Sequence, residues 1–246
     1  MIELYETLFI LLFLIFIVIF GIYLLPSIII YANSTYRKDT KKSLFNVLND
    51  VGAQGEYRIY KYLRRYEKSG CKFLFNVYLP KDDETTEADV LLISPQGIYV
   101  FESKNYSGWI FGNERYKMWT QTLPQGKGKK AKKEKFLNPI MQNKLHIRCL
   151  AEYLQDDIPM YSVIVFSERC ELKKIELNNS SDVKVIKRNQ VNELIRSCES
   201  DERKISDAKI NEIYNKLYPL TQFDNTLKQK HIQDINNHID KQRNNK

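Results

Sequence analysis

The chain has 246 residues and carries 38 Lys and Arg against 30 Asp and Glu, a formal net charge of +8. This length is enough for one domain with a real hydrophobic core, and the positive charge indicates an anionic partner, either nucleic acid or an acidic lipid surface. The four cysteines form no C-x-x-C pair and have no His at zinc-ligand spacing, which argues against a zinc ribbon and against a disulfide framework.

An uncharged apolar run from Leu8 to Tyr31 lies near the start of the chain. A helix of this length reaches about 36 Å, enough to cross a hydrocarbon core of roughly 30 Å. Its acidic flank and its length favour an uncleaved anchor over a secretory signal peptide. Because basic residues follow it directly, the positive-inside rule predicts a single-pass protein of the cell membrane, with its N-terminus outside and its C-terminal domain in the cytoplasm. These residues are Arg37, Lys38, Lys41 and Lys42.

The first half of the soluble part predicts one helix followed by strands. Apolar residues at helical spacing predict a helix over about 53–67. Apolar runs predict strands over 72–80, 88–94 and 97–104, and strand or hairpin structure continuing through 109–113 and 116–122. Residues 125–135, which are rich in lysine, are predicted to form a loop.

The second half continues the alternation of helices and strands. A helix is predicted over 138–154, with Asn138 as its N-cap and Pro139 in its first turn. Strands are predicted over 160–167 and 182–187, a helix begins near 189, and a polar helix from 203 fades into a tail. This order predicts a mixed sheet flanked by helices, an α/β sandwich.

Two neighbouring strands carry a candidate metal site. Glu102 and Lys104 are two residues apart on a strand and therefore share a face. A two-residue loop between the strands places Asp89 opposite Glu102, whereas a bulge at Gly97 would shift the pairing by one residue. Paired carboxylates after apolar runs require a cation, and Mg²⁺ prefers a few carboxylates with water and phosphate oxygens. Together with Lys104, these are the groups that phosphodiester hydrolysis requires.

The Glu-x-Lys pattern alone is weak, since most such pairs are solvated strand faces or surface salt bridges. The pair Glu171 and Lys173 and the pair Asp182 and Lys184 have the same spacing. Glu102 and Lys104 differ from them in context, because they lie on an apolar strand in a tight hairpin with an acidic residue on the adjacent strand.

Several separated motifs over about residues 50–167 resemble the nuclease-related domain (NERD) family. That family is similar to the PD-(D/E)xK nucleases, which have a restriction-endonuclease-like fold. The motifs are G-A-Q-G-E (52–56), E-A-D-V-L-L-I (87–93), G-I-Y-V-F-E-S-K-N (97–105), the spacing of Gly108, Trp109 and Trp119, and N-P-x-x-Q-N (138–143). The resemblance implies a restriction-endonuclease-like mixed sheet flanked by helices, and the apolar run predicts one transmembrane helix before it.

The resemblance also assigns site residues. Asp89, Glu102 and Lys104 are implied to be the Asp, Glu and Lys of the nuclease signature, with Ala88 standing where that signature has Pro. Glu56 is implied to be a helix glutamate that joins the metal site, and Gln142 the family's helical glutamine. The metal ligands expected are then Asp89, Glu102 and Glu56. His146 lies one helical turn after Gln142 and could approach the site, although such a histidine is more often a core or surface residue.

The expected domain organisation is an anchor over 1–36, a linker over 37–50, the nuclease-related domain over 51–200 and a polar helical tail over 201–246. The expected function is that of a membrane-anchored nuclease that uses Mg²⁺ or Mn²⁺ on DNA or RNA. Two alternatives stay open. One is a catalytically weak or inactive nuclease-fold protein that binds nucleic acid at the membrane, and the other is a membrane scaffold whose lysines contact acidic lipid. The candidate nucleic-acid contacts are Lys127, Lys129, Lys130, Lys132, Lys133 and Lys135.

Overall fold

The N-terminal apolar run is helical in the computed structural model, which describes residues 2–82, 84–126, 128–199 and 202–222. Helix α1 (Ile2–Tyr23) and helix α2 (Leu25–Ala32) are nearly continuous, with Pro26 in the first turn of α2. The stretch Leu4–Ala32 is long and apolar enough to cross a membrane. It contains the whole of the predicted span.

Residues 37–50, for which we predicted a polar linker, are largely helical and packed against the domain. Helix α3 (Thr35–Thr40) and helix α4 (Leu44–Asn49) each have a serine N-cap. Tyr36 and Val47 are buried in the core, and the Tyr36 ring meets the Phe75 ring edge-on at 4.8 Å. Burial of these side chains holds the segment in place, which its polar composition does not indicate.

The central sheet is mixed, as predicted, with strand order β1-β2-β3-β7-β9. Neighbouring strands pair antiparallel from β1 to β3, and β3, β7 and β9 pair in parallel. The strands are β1 (Lys72–Lys81), β2 (Glu84–Ser94), β3 (Gly97–Lys104), β7 (Met160–Phe166) and β9 (Lys184–Lys187).

Helices cover both faces of this sheet. Helix α5 (Val51–Leu63) and helix α7 (Val191–Cys198) pack on one face, against Tyr99 and Phe101 of β3 among others. Helix α6 (Pro139–Leu154) and helix α8 (Asp207–Leu217) cover the other face. Strands buried on both faces explain the continuous apolar runs that made β2 and β3 recognisable.

Helix α8 falls within residues 201–246, for which we predicted a polar helical tail. Its side chains Ile210, Ile213 and Leu217 are buried against the central sheet and α6. Three apolar residues at helical spacing are therefore enough to hold an otherwise polar helix on the core. Residues 223–246 of the predicted tail lie outside the described residues.

A second sheet has strand order β6-β5-β4-β8. Strands β4 (Gly108–Asn113) and β5 (Met118–Leu123) form the predicted hairpin, and β8 (Cys170–Glu176), which we did not predict, pairs in parallel with β4. The Trp119 ring lies directly over Gly112, where a Cβ would stand 2.2 Å from it, and stacks on Phe166 of the central sheet at 6.1 Å. This aromatic contact joins the two sheets.

The prediction of a loop over 125–135 is wrong for its second half. Strand β6 (Lys132–Leu137) pairs antiparallel with β5, from Leu123 opposite Lys132 to Met118 opposite Leu137. Lysines are common on edge strands because their charge discourages pairing with other chains. A lysine-rich edge strand has little apolar alternation, so its sequence is indistinguishable from that of a loop.

Candidate active site

The β2–β3 hairpin has the register that the sequence predicts, without a bulge at Gly97. Its ladder runs from Ser94 opposite Gly97 to Val90 opposite Phe101. Asp89 and Glu102 are the next residues on the two strands. The two carboxylates therefore meet at the end of the hairpin that lies away from the turn.

The carboxylate of Asp89 is turned across the sheet toward β3. Its Oδ2 accepts a hydrogen bond of 2.7 Å from the backbone N–H of Ser103. Glu102 is buried, with a relative exposure of 3%, and its Oε1 lies 2.7 Å from Lys104 Nζ. Asp89, Glu102 and Lys104, which the sequence separated by up to fifteen positions, thus form one cluster.

The β1–β2 ladder is interrupted beside Asp89. Pairing stops at Phe75 opposite Val90 and resumes at Val77 opposite Ala88. Between them Asn76 has a left-handed backbone (φ 51), which Asn tolerates better than most residues. The side chain of Asn76 hydrogen-bonds Glu56. Asn76 lies opposite Asp89 at this break in the ladder. It therefore links the β1–β2 pair to helix α5.

Helix α5 is held close to the end of β3. Asp50 caps it by accepting hydrogen bonds from two backbone N–H groups, and Asn105 Nδ2 donates to the Val51 carbonyl at 2.9 Å. Gly55 allows the close approach, because a Cβ there would stand 2.4 Å from Ser103 Oγ. The spacing of the G-A-Q-G-E motif thus reflects contact between this helix and the site strand.

Glu56 lies on α5, almost fully buried, and is held by two neighbours. The Tyr36 hydroxyl donates a 2.9 Å hydrogen bond to Glu56 Oε2, and Asn76 also contributes. Burial raises the pKa of the Glu56 carboxyl above its ordinary value, while Lys42 and these hydrogen bonds act in the opposite direction.

The site holds more negative than positive charge. Burial, and then repulsion from Glu102 and Glu56, raise the pKa of Asp89 well above its ordinary value, although Lys104 and the Ser103 N–H partly offset this. For Lys104, burial lowers the pKa, but Glu102 and Asp89 outweigh it and raise the pKa above its ordinary value. Lys104 is therefore protonated at neutral pH.

Helix α6 approaches the same cluster from the opposite face of the sheet. Asn143 Nδ2 donates to the Val100 carbonyl at 2.8 Å and to Ser162 Oγ at 2.9 Å, which fixes the helix on β3 and β7. His146 Nδ1 lies 3.3 Å from Glu102 Oε2. Gln142 is one turn earlier on the same helix face.

The role of His146 was only partly visible in the sequence. The spacing from Gln142 indicated that it could approach the site, and the structure places it against Glu102. Asn143 was not singled out at all, although it belongs to the N-P-x-x-Q-N motif. Its position among apolar residues, on a helix that packs on a sheet, is the pattern that could have indicated that Asn143 is buried.

The donor atoms of this cluster fit a divalent cation. Among the described residues, no group of three or more His, Cys, Asp or Glu is placed to hold a metal ion. Mg²⁺, however, usually takes one or two carboxylates together with water and phosphate oxygens. Glu102 Oε2 is buried and accepts no well-oriented hydrogen bond within the described residues, although His146 Nδ1 lies 3.3 Å away. Gln142 Oε1 is also buried and has no hydrogen-bond partner there. A cation would also relieve the repulsion that raises the pKa of Asp89.

The lysine-rich segment belongs to the second sheet. Lys129 and Lys130 lie in the connection before β6, and Lys132, Lys133 and Lys135 are exposed on β6. Lys127 lies outside the described residues. Lys132 forms an ion pair with Glu134. This surface is therefore positive and accessible, but part of its charge is already paired.

The comparison pair Glu171 and Lys173 has a different environment from the candidate site. Both side chains are about half exposed, and their charged atoms are 2.7 Å apart. They lie on β8 as a surface ion pair. The same Glu-x-Lys spacing therefore occurs once in a buried cluster and once on a solvated strand face.

A model of the family described as "Nuclease-related domain" matches residues 51–167. This interval contains Glu56, Asp89, Glu102, Lys104 and Gln142. Residues 51–167 are a nuclease-related domain. The fold expected from the motifs, a mixed sheet flanked by helices, is the one observed.

An uncharacterized protein of Bacillus anthracis is 27% identical to the chain over 220 residues. The alignment covers 89% of this chain and 96% of that protein, so the similarity extends beyond the nuclease-related domain on both sides. No solved structure matches the chain.

Proposed function

We propose that the chain is a membrane-anchored nuclease that hydrolyses phosphodiester bonds of DNA or RNA with Mg²⁺ or Mn²⁺. The observation that carries the proposal is the convergence of Asp89, Glu102 and Lys104 at one end of the β2–β3 hairpin, inside a nuclease-related domain. Buried carboxylates beside a lysine are costly to maintain in a purely structural role.

Each residue of the cluster has a distinct role in this proposal. Asp89 and Glu102 would hold the divalent ion, with Glu56 assisting from α5 and the Ser103 carbonyl as a further ligand. That ion would supply positive charge at the scissile phosphate and activate water. Gln142 would orient the water or the substrate phosphate from α6.

Lys104 would orient the attacking water and offset charge on the phosphate. The flanking carboxylates raise the pKa of Lys104, so the ammonium form predominates at neutral pH. For Lys104 to deprotonate the water, it would first have to lose its own proton. That would require the charge of the flanking carboxylates to be neutralised. Electrostatic stabilisation of the developing charge is therefore the role that the contacts of Lys104 support best.

The anchor in this proposal is the stretch Leu4–Ala32, with residues after 36 in the cytoplasm. Its length and hydropathy support a membrane span. The basic residues that follow it support the cytoplasmic orientation. Protease added to intact cells should leave residues 37–246 whole. Digestion of the domain from outside the cell would contradict the orientation.

A cleavage assay tests the catalytic part of the proposal. The purified full chain in detergent should cut at least one of single-stranded DNA, double-stranded DNA and RNA when Mg²⁺ or Mn²⁺ is present. Chelation should abolish cleavage. Binding of nucleic acid without metal-dependent cleavage of any of these substrates would contradict the proposed activity.

A second candidate is a nuclease fold that binds nucleic acid at the membrane without cutting it. The ion pair of 2.7 Å between Lys104 and Glu102, and the lack of a three-ligand group among the described residues, favour this alternative. The presence of all three signature residues favours the active enzyme, since an inactive relative need not keep them. The assay above separates the two.

A further inference from the structure

An exposed apolar patch lies at the start of the folded domain. Phe45 and Leu48 on α4 are 73% and 59% exposed, and Val51, the first residue of α5, is 59% exposed. The same short helix buries Val47 in the core. Large apolar side chains grouped on one surface mark a contact with a membrane or another protein.

The patch lies beside the end of the helix that is long enough to cross a membrane. Tyr31, one residue before the end of α2, is buried, and its hydroxyl donates a 2.6 Å hydrogen bond to the Lys42 carbonyl. Ser43, the next residue, caps α4, and α2 and α4 are in direct contact. Helix α4 is therefore fixed next to the point where the apolar helix ends.

The segment around the patch carries a net positive charge. Arg37, Lys38 and Lys41 are exposed on α3 and at its C-terminus, and Lys42 pairs with Asp50. Basic side chains near an acidic leaflet are attracted to its negative surface potential. Exposed Phe and Leu flanked by Lys and Arg are typical of a surface that lies in the interface of a bilayer.

We propose that Phe45, Leu48 and Val51 form an interfacial docking surface that enters the headgroup region of the bilayer in which the N-terminal helix is embedded. This inference rests on the proposed membrane anchor and goes beyond it, because it fixes how the domain is oriented on the membrane. The Val51 carbonyl accepts the hydrogen bond from Asn105, next to the end of β3. Val51, at one end of the docking surface, is thus the first residue of the helix that carries Glu56.

Site-specific fluorescence can test this contact in the full chain. The variants are Phe45→Cys and Leu48→Cys in a Cys198→Ser background, in which the remaining Cys71, Cys149 and Cys170 are buried. Tyr116→Cys is the matched control, since Tyr116 is 64% exposed but lies in the β4–β5 hairpin. Each labelled chain is reconstituted in vesicles of phosphatidylcholine and phosphatidylglycerol.

We expect the labels at positions 45 and 48 to be quenched by spin-labelled lipid and protected from iodide, with blue-shifted emission. The label at position 116 should show the opposite pattern. A label at position 45 that is as accessible to iodide as the one at 116 overturns the inference. Protection from iodide without quenching by lipid also overturns it, because a protein partner would then cover the patch.

Flotation of the vesicles separates this inference from the proposed function. A chain that does not float with the vesicles contradicts both the anchor and the docking surface. A chain that floats while position 45 stays in water contradicts the docking surface alone. Neither readout depends on whether the chain cleaves nucleic acid.

Discussion

The hydroxyl of Tyr36 donates a 2.9 Å hydrogen bond to Glu56 Oε2. Tyr36 belongs to the short helix that follows the apolar N-terminal segment, and it is fully buried. The same hydroxyl lies 3.2 Å from the Ala53 carbonyl one turn earlier on α5. This contact couples the segment next to the proposed anchor to the orientation of a carboxylate in the candidate active site.

Tyr36→Phe should weaken metal binding while the fold is kept. The variant retains the buried ring and loses only the hydrogen bond to Glu56. A hydrogen bond to a charged group contributes about 1.5–3 kcal/mol, so the affinity for Mn²⁺ should fall by roughly tenfold or more. Calorimetric titration with Mn²⁺ measures this. Tyr57→Phe, which alters a ring that packs on Tyr36, is the control; an equal loss there would contradict a specific role for Tyr36.

Variants of the signature residues should separate into two classes. Asp89→Asn and Glu102→Gln should lose metal binding and cleavage together. Lys104→Ala should keep both metal and nucleic acid but lose cleavage by about 10²–10⁴-fold, the usual scale for one electrostatic or proton-transfer group. Single-turnover cleavage and Mn²⁺ titration measure the two properties separately.

The matched controls for this set are Glu171→Gln and Lys173→Ala. They change the same residue types at the same spacing on an exposed strand, so cleavage should stay near the wild-type rate. If Lys104→Ala cleaves as fast as the wild type, the assignment of this motif is wrong.

Gly55→Ala should disturb the contact between α5 and the site strand. Its Cβ would stand 2.4 Å from Ser103 Oγ, and overpacking of this kind costs about 1–3 kcal/mol. Thermal unfolding in detergent should show a lower midpoint. The double variant Gly55→Ala/Ser103→Ala removes the clashing oxygen and should recover most of the loss. Absence of any recovery would show that the contact with Ser103 is not the cause.

The lysine-rich segment should contribute to the salt dependence of nucleic-acid binding. With a slope of about −0.9 per phosphate contact, even about three contacts make binding strongly salt-dependent. Changing Lys127, Lys129, Lys130, Lys132, Lys133 and Lys135 to Gln should therefore flatten the slope of log Kd against log salt. Lys174→Gln, an exposed lysine on β8, is the control. An unchanged slope would assign the segment to lipid or to no partner.

Asp39→Asn should stabilise the domain at neutral pH. Burial, and then repulsion from Glu67, raise the pKa of Asp39 to about 6, with Lys38 partly offsetting them. Because this folded-state pKa lies above the ordinary value, the contribution of Asp39 to stability is fully present below pH 3.8 and is lost as the pH rises through about 6.

The size of the stabilisation by Asp39→Asn follows from the shift in the pKa of Asp39. Because solvent screens this partly exposed carboxyl, the variant should gain only about 1 kcal/mol at pH 8, and little at pH 4. Urea unfolding at the two pH values measures the difference. The exposed residue Asp157 provides the control, since Asp157→Asn should change neither value appreciably. A gain of equal size at both pH values would show that ionisation of Asp39 is not responsible.

The sequence by itself determined the features that depend on neighbouring residues. The uncharged apolar run predicted the N-terminal helix, which is long and apolar enough to cross a bilayer. The β2–β3 hairpin and its register followed from two apolar runs and a two-residue loop, and the register placed Asp89 beside Glu102. Family motifs pointed to Glu56 and Gln142.

Only the tertiary structure decided which distant residues complete the cluster. Tyr36 and Asn76 hold Glu56, although nothing in the local pattern distinguishes them from ordinary polar residues. The spacing of His146 from Gln142 indicated only that it could approach the site, and the structure places it against Glu102. The strand character of β6 and the buried position of α8 were likewise hidden by their lysines. The physical reason is that burial and hydrogen bonding between segments depend on packing over long sequence separations, whereas periodicity and turn chemistry report only local geometry.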